Sequence, residues 1–234
     1  MCGRFFLSRS GHEIAQHFAL TDEPVLAPRY NIAPGQPVPV VHAVRGAAPQ
    51  RVLAEMQWGF VPRFAQSERA GRRPINARAE TVATSPLFRD AFARRRALVP
   101  ADGFYEWQHR GRSARPFAVR VRGGALFAMA AVWERWSGEA DGAPMASCAI
   151  VTTEANAAIG AIHDRMPAIV RPEDYALWLD PAQRDPARLL ALLAPVAAAD
   201  VALHPVDRRV NDVRCDDADL VLPERDLFSL GGAQ

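Results

Sequence analysis

Phe117-Ala118-Val119-Arg120-Val121, then Arg122-Gly123-Gly124, then Ala125-Leu126-Phe127-Ala128-Met129-Ala130-Ala131-Val132 is the stretch that decides the fold. Two apolar runs of strand length flank a short break holding two glycines, so the chain predicts strand, turn, strand. Val38–Val41, Ala97–Val99, Ala149–Thr152 and Ala168–Val170 repeat the pattern, with breaks at Pro34-Gly35 and Asp141-Gly142. Helices are expected where the period changes. Ser10-Gly11-His12-Glu13 is a capping box opening a helix through about Leu20. Ser85-Pro86 starts another, with Leu87, Phe88, Ala91 and Phe92 on one face, and Pro172–Leu179 and Ala187–Leu193 add two more. Regular βαβ alternation and a glycine-rich phosphate loop are absent from the sequence, which argues against a nucleotide-binding fold. The expected class is α+β, a curved and mostly antiparallel sheet with helices packed outside. Gly71–Pro74 and Trp136–Ala146 read as exposed loops, and neither makes a convincing domain boundary.

The composition is that of an ordinary globular protein, 234 residues with 49% hydrophobic and 23% charged content. The longest apolar run, Leu189–Ala199, is too short for a bilayer and is broken by Pro195, so no membrane partner is expected. Three cysteines, Cys2, Cys148 and Cys215, form neither a disulfide framework nor a zinc spacing. A reducing cytoplasm and no metal are the expectation. Charge is unevenly placed: residues 1–122 hold 19 Arg against 9 Asp and Glu, and residues 123–234 hold 9 Arg against 17. Lysine is absent, so every fixed positive side chain is a guanidinium, the group suited to bidentate phosphate contact. The basic first half could line a phosphate-binding face.

The second residue carries the distinctive chemistry. Loss of Met1 would leave Cys2 with a free α-amine and a thiol on adjacent carbons. Their ordinary pKa values, roughly 8 and about 8.5, leave reactive fractions of both near neutral pH. The amine can condense with an aldehyde, and the thiol can close on the imine carbon to give a thiazolidine. An internal cysteine cannot, because its nitrogen is in a peptide bond. A chance cysteine after the initiator is the alternative reading.

Other segments set polar groups among aromatics. In Pro74-Ile75-Asn76-Ala77-Arg78-Ala79-Glu80-Thr81, Asn76 and Arg78 share a face if the chain is extended. Pro100-Ala101-Asp102-Gly103-Phe104-Tyr105-Glu106-Trp107 sets Glu106 between large rings, where desolvation would raise its pKa toward a proton-shuttling range. A salt bridge to one of the many arginines explains Glu106 equally well. Ile162-His163-Asp164-Arg165-Met166-Pro167 supplies a histidine for proton transfer or, on the plainer reading, a structural one. Gln57-Trp58-Gly59-Phe60-Val61-Pro62 offers aromatic surface beside a glycine, though Trp58 and Trp107 read equally as core.

Together with Tyr30-Asn31-Ile32-Ala33-Pro34, these motifs stand in the order and spacing of one family. From Met1 to about Asn211 the chain resembles the SOS response-associated peptidase (SRAP) family, whose members crosslink to abasic sites in single-stranded DNA. The resemblance implies a single SRAP-like domain over residues 1–234, with barrel-like antiparallel sheets and an acidic tail from about Val213 lying away from DNA. It implies Cys2 as nucleophile toward the abasic C1′ aldehyde, Asn76 as an orienting partner, Glu106 as general acid/base, and His163 as a proton-transfer or ring-opening assistant. Arg4 and Arg78 would hold phosphates, and Trp58, Gly59 and Phe60 would stack on or wedge beside bases. Asn31 and Thr152 are expected near the site, Asn31 with a turn-stabilising amide as its equal alternative. No cofactor is implied. The partner is single-stranded DNA with abasic sites, the state a monomer, and the location cytoplasmic, on the nucleoid when damaged DNA is bound. Autoproteolytic loss of Met1 is a second implied activity, which an aminopeptidase could equally perform. The family often has a cysteine where this chain has Arg96-Ala97-Leu98. Two other classes remain open: a thiol peptidase acting on other proteins through Cys2, His163 and Glu106, and a non-covalent single-strand-binding module.

Overall fold

The computed structural model describes residues 2–44, 50–67, 73–111, 113–137 and 144–224. Parts of both expected loops, Asp141-Gly142, Met1 and the end of the acidic segment lie outside the described residues. The strands are β1 (Phe5–Leu7), β2 (Arg29–Ile32), β3 (Pro37–Val44), β4 (Gln50–Trp58), β5 (Asn76–Arg78), β6 (Arg96–Ala101), β7 (Gly103–Arg110), β8 (Ser113–Val121), β9 (Phe127–Trp136), β10 (Met145–Glu154), β11 (Arg165–Pro167), β12 (Ile169–Val170) and β13 (Val201–Pro205). The α-helices are α1 (Gly11–Phe18), α2 (Ala79–Val82), α3 (Arg89–Arg94), α4 (Ala157–Gly160), α5 (Tyr175–Leu179) and α6 (Pro186–Ala191).

β4, β3, β6 and β9 pair antiparallel in that order. β10 then closes a five-stranded barrel, antiparallel to β9 and parallel to β4. A second sheet runs β13-β8-β7-β1-β2, antiparallel throughout. This is the α+β, barrel-like architecture the sequence points to, with a local exception to its antiparallel character: β10 runs parallel to both β4 and β5.

Small residues let the barrel close. Ala128 and Ala130 on one face of β9 and Ala131 on the other are buried with Ala97 on β6 and Ala149 on β10, and their small size keeps the strands close packed on both faces. Outside it, α1 opens on Ser10 with both halves of the capping box formed and buries Ile14 and Phe18. Helix α3 begins later than the sequence predicts: Ser85–Phe88 forms turns, with the N–H groups of Phe88 and Arg89 both donating to the Ser85 carbonyl. The expected Pro172–Leu179 helix opens with a 3-10 turn over Pro172–Asp174, and the Ala187–Leu193 helix runs Pro186–Ala191 behind an Asp185 cap.

The segment from Val213 is not a free tail. Asp216 accepts the Tyr30 backbone N–H, Asp217 pairs with Arg209, and Leu220 and Val221 are buried with Phe6, Tyr105, Ala118, Val206 and Val210 in a second core. The apolar side chains between the acids hold this segment against the second sheet, which the acidic composition had concealed.

Gly103 sits where β1 crosses β7. A Cβ there would lie 2.2 Å from Phe6 Cζ and 2.7 Å from the Val119 carbonyl oxygen. Because one of those atoms is backbone, Gly103→Ala is expected to cost about 1–3 kcal/mol, read as a lower urea midpoint with an unchanged slope.

Candidate active site

Strand register assembles the site. Phe5 faces Phe104 and Phe6 faces Gly103, and the Tyr105 N–H donates to the Arg4 carbonyl at 2.9 Å. Continuing that antiparallel pairing by one step brings Glu106 alongside the residues just before Arg4. Asp102 locks the crossing, accepting from Ser8 N–H (2.6 Å), Ser8 Oγ (2.8 Å) and Arg9 Nε (2.8 Å).

A second pairing delivers Asn76. β4 lies beside β10 as far as Trp58 opposite Cys148, and β5 then takes over the same edge with Asn76 opposite Ile150 and Arg78 opposite Thr152. Gly59 makes the exchange: its φ of +141° favours glycine, its N–H donates to Cys148, and the Phe60 N–H donates to Pro74. Asn76 Nδ2 donates to the Cys2 carbonyl at 2.9 Å.

The third piece follows α4, where the His163 N–H donates to the Ile159 carbonyl at 3.0 Å. Gln108, two residues beyond Glu106 and so on the same face of β7, donates to the Ala161 carbonyl at 3.0 Å and ties this loop to the strand. The Arg165 N–H donates to His163 Nδ1 at 2.9 Å. Arg165 makes a two-pronged ion pair with Glu80 (2.6 and 3.0 Å) and donates to the Thr152 carbonyl at 2.6 Å.

Cys2, Asn76, Glu106 and His163 are therefore brought together. Cys2 and Glu106 are buried and His163 is partly so. Burial raises the Cys2 thiol, and the nearby Glu106 charge raises it further. Glu106 is also raised, chiefly by burial, and His163 lies close enough to act on it electrostatically. A thiol kept neutral is a weak nucleophile until a base takes its proton, and a carboxyl with a raised pKa is suited to that exchange. Arg4 Nη1 donates to Asn31 Oδ1 (2.7 Å) and the Val210 carbonyl (2.8 Å), with its guanidinium 5.8 Å from the Trp107 ring centre. Arg4 Nε, Asn76 Oδ1 and Arg165 Nε are buried and lack hydrogen-bond partners among the described residues. Unsatisfied buried polar atoms are uncommon and single this region out.

Several expected DNA contacts are placed differently. Trp58 and Phe60 are buried, and Trp58 Nε1 donates to the Ile75 carbonyl, so these rings are core and offer no stacking face. Asn31 is buried, its amide donating to the carbonyls of Val210, Asp212 and Cys215. Thr152 is buried and reaches the site through its backbone carbonyl. Arg78 is exposed. Glu80, Gln108 and Arg165 escaped the sequence reading. Glu80 and Arg165 are oppositely charged members of two motifs already singled out, but nothing along the chain joins residues 85 apart. Among the described residues no cluster of His, Cys, Asp or Glu could hold a metal ion, and no helix is long and apolar enough to cross a membrane.

Barrel and site define a protein whose second residue is a buried cysteine, backed by an amide, a carboxyl and an imidazole. The chain belongs to the SOS response associated peptidase (SRAP) family, whose sequence model matches residues 1–213. It is 35% identical to the abasic site processing protein YoaM of Bacillus subtilis over 231 residues, covering 97% of this chain and 100% of that protein. It is 30% identical to the abasic site processing protein HMCES of Gallus gallus over 224 residues, covering 84% of this chain and 66% of that protein. A crystal structure of a Bacteroides thetaiotaomicron protein shares the fold with a TM-score of 0.84 at 24% identity, covering 96% of this chain and all of the other.

Glu106 gives a pH test. Below about pH 4.3 the carboxyl is protonated in both the folded and the unfolded chain, and the neutral form is the one a buried site favours. That advantage is lost as pH rises through the elevated folded-state value. Glu106→Gln stays neutral and escapes the loss. Its stability relative to the wild type, from urea unfolding, is expected to improve as pH rises from the ordinary carboxylate value of about 4.3 through the elevated folded-state value. A difference independent of pH would refute burial as the dominant influence on Glu106.

Proposed function

We propose that this chain is a DNA-damage protein that binds single-stranded DNA and captures the open aldehyde of an abasic site at Cys2. The observation that carries the reading is the convergence of Asn76, Glu106 and His163 on Cys2, a residue one position from the start of the chain. The names of the relatives, abasic site processing proteins, support it.

The sequence of steps follows from the groups present. Met1 is removed first, either through the Cys2 thiol and Glu106 acting on the chain itself or by an aminopeptidase. The freed Cys2 amine adds to C1′, forming a C–N bond, and the resulting carbinolamine loses water to an imine. The thiol then adds across C=N: sulfur bonds to C1′, the thiol proton leaves through a neighbouring base, and nitrogen gains a proton. The product is a thiazolidine, and the balance is protein plus aldehyde minus one water. Glu106, raised by burial, exchanges protons with the amine, the leaving water and the thiol. Asn76 orients Cys2 through its carbonyl, and Asn76 Oδ1 is available to accept from the attacking amine or a sugar hydroxyl. His163 assists ring opening or proton transfer. Holding amine, thiol and aldehyde together supplies most of the acceleration.

Arg4 and Arg78 contact the phosphates on either side of the lesion, contacts that read charge and no base sequence. Trp58, Gly59 and Phe60 enter this reading as the buried turn that holds Asn76 in place. One site meeting one lesion requires no symmetry, so the working form is a monomer, acting in the cytoplasm on nucleoid DNA.

The direct test is to mix protein with a single-stranded oligonucleotide bearing one abasic site and weigh the denatured products. A species at protein minus Met1 plus DNA minus one water is expected, absent for Cys2→Ala. Cys2→Ser keeps the amine without the sulfur, and is expected to give an adduct that survives denaturation only after borohydride reduction. If the wild-type protein lacks Met1, binds the oligonucleotide and yet stays unlinked, the covalent reading fails. Affinity for the undamaged strand is expected to fall as salt rises.

A further inference from the structure

His163 Nδ1 has two neighbours that ask for opposite protonation. The Arg165 backbone N–H points at it from 2.9 Å and needs a lone pair there. The Asp164 carboxylate lies 2.9 Å from the same nitrogen and would bond only to a proton on it. Because Asp164 is 86% exposed, water competes for its charge and its pull is weak. The amide wins as long as Arg165 is held in place, which leaves the ring proton on Nε2.

What holds Arg165 is chiefly Glu80. The arginine side chain is only 13% exposed, so its charge must be matched inside the protein. The fork of two parallel N–H···O bonds to Glu80 does this with fixed geometry, and Thr152 adds only neutral acceptors, its carbonyl at 2.6 Å and its Oγ1 at 3.5 Å. Glu80 is correspondingly held below the usual carboxylate range by the Arg165 hydrogen bonds. Without it, a buried guanidinium would keep only the neutral oxygens of Thr152 and an orphaned Nε. Turning out toward water is then the less costly course, and it pulls against the end of the β10–β11 ladder, where Arg165 pairs with Glu154 and the Ala155 N–H donates to the Asp164 carbonyl, so that the Arg165 N–H loosens from the imidazole.

We propose that Glu80 is a positioning residue for His163, holding Arg165 so that its backbone N–H stays on Nδ1 and the ring proton stays on Nε2, facing the Cys2 chemistry. The charged groups around the ring are Asp164 and Arg165 on its own loop, Glu80 on α2 behind Arg165, and Glu106 on β7 across the site. Glu80 touches no reacting atom. The catalytic consequence rests on the crosslinking reading above; the tautomer does not.

The experiment uses the full chain with 15N-labelled histidine and has two readouts. Long-range proton–nitrogen correlation is expected to show His163 protonated on Nε2 and unprotonated on Nδ1 in the wild type. In Glu80→Ala the pattern should become a mixture or the doubly protonated ring, and in Glu80→Asp it should return in part. The single-turnover crosslinking rate of Glu80→Ala should fall about tenfold, with affinity for the undamaged strand nearly unchanged. Glu80→Gln serves as the milder variant if Glu80→Ala fails to fold. A wild-type ring protonated on Nδ1, an unaltered tautomer in the variant, or a lowered melting temperature with an unaltered rate would each overturn the proposal. A wild type that never crosslinks would instead overturn the functional reading, and the tautomer comparison would still decide the part played by Glu80.

Discussion

Everything at this site depends on a short antiparallel crossing, β1 against β7. Two hydrogen bonds of 2.9 Å, Asp102 N–H to Phe6 and Tyr105 N–H to Arg4, draw the amino end of the chain into the second sheet. Each is worth about 1 kcal/mol by itself. Their value lies in register, because a shift of one residue would turn Glu106 to the other face of the strand. Gly103 lets the Phe6 ring lie flat on the crossing, and buried Asp102 fixes the end of β1 with three donors.

The second constraint is β10, whose edge is shared in sequence by two parallel partners. β4 occupies it to Trp58, and β5 occupies it from Asn76. On its other side Thr152 faces Pro167 of β11. Segments more than seventy residues apart in the chain thus meet around one strand, and the Glu80–Arg165 pair closes the gap between them. The aromatic motif at Trp58-Gly59-Phe60 is the hinge of this exchange. That explains its large rings without a ligand: they are core, holding a backbone turn that only glycine enters easily.

Burial sets the chemistry as well as the geometry. A thiol pushed up by desolvation and by a neighbouring carboxylate stays neutral, which protects it from casual oxidation and alkylation. Such a group reacts when an electrophile is already in place and a base stands ready, which fits the proposed order of amine attack before closure by the sulfur. Cys148, pushed up to about 12 by burial, has the same desolvation without the partners, and is core.

The sequence by itself determined the class of fold, the capped first helix and six of the strands, and it singled out the four residues that the fold brings together at Cys2. These signals are local: a period of two, a capping box, a cysteine at the second position, a carboxyl between rings. It determined less about β4 and β7, whose charged and aromatic residues hide their alternation, and it read the segment from about Val213 as an acidic tail because Asp216, Asp217 and Asp219 mask the apolar Leu220 and Val221 that anchor it. Only the tertiary structure decided which motifs serve chemistry and which serve packing. Asn31 is turned toward three carbonyls of the C-terminal segment, and Trp58 and Phe60 are turned inward. Glu80, Gln108 and Arg165 acquired their roles from partners far off in the chain. The physical reason is that a side chain's neighbours across a barrel are set by strand order and register, long-range choices that no local pattern of residues encodes.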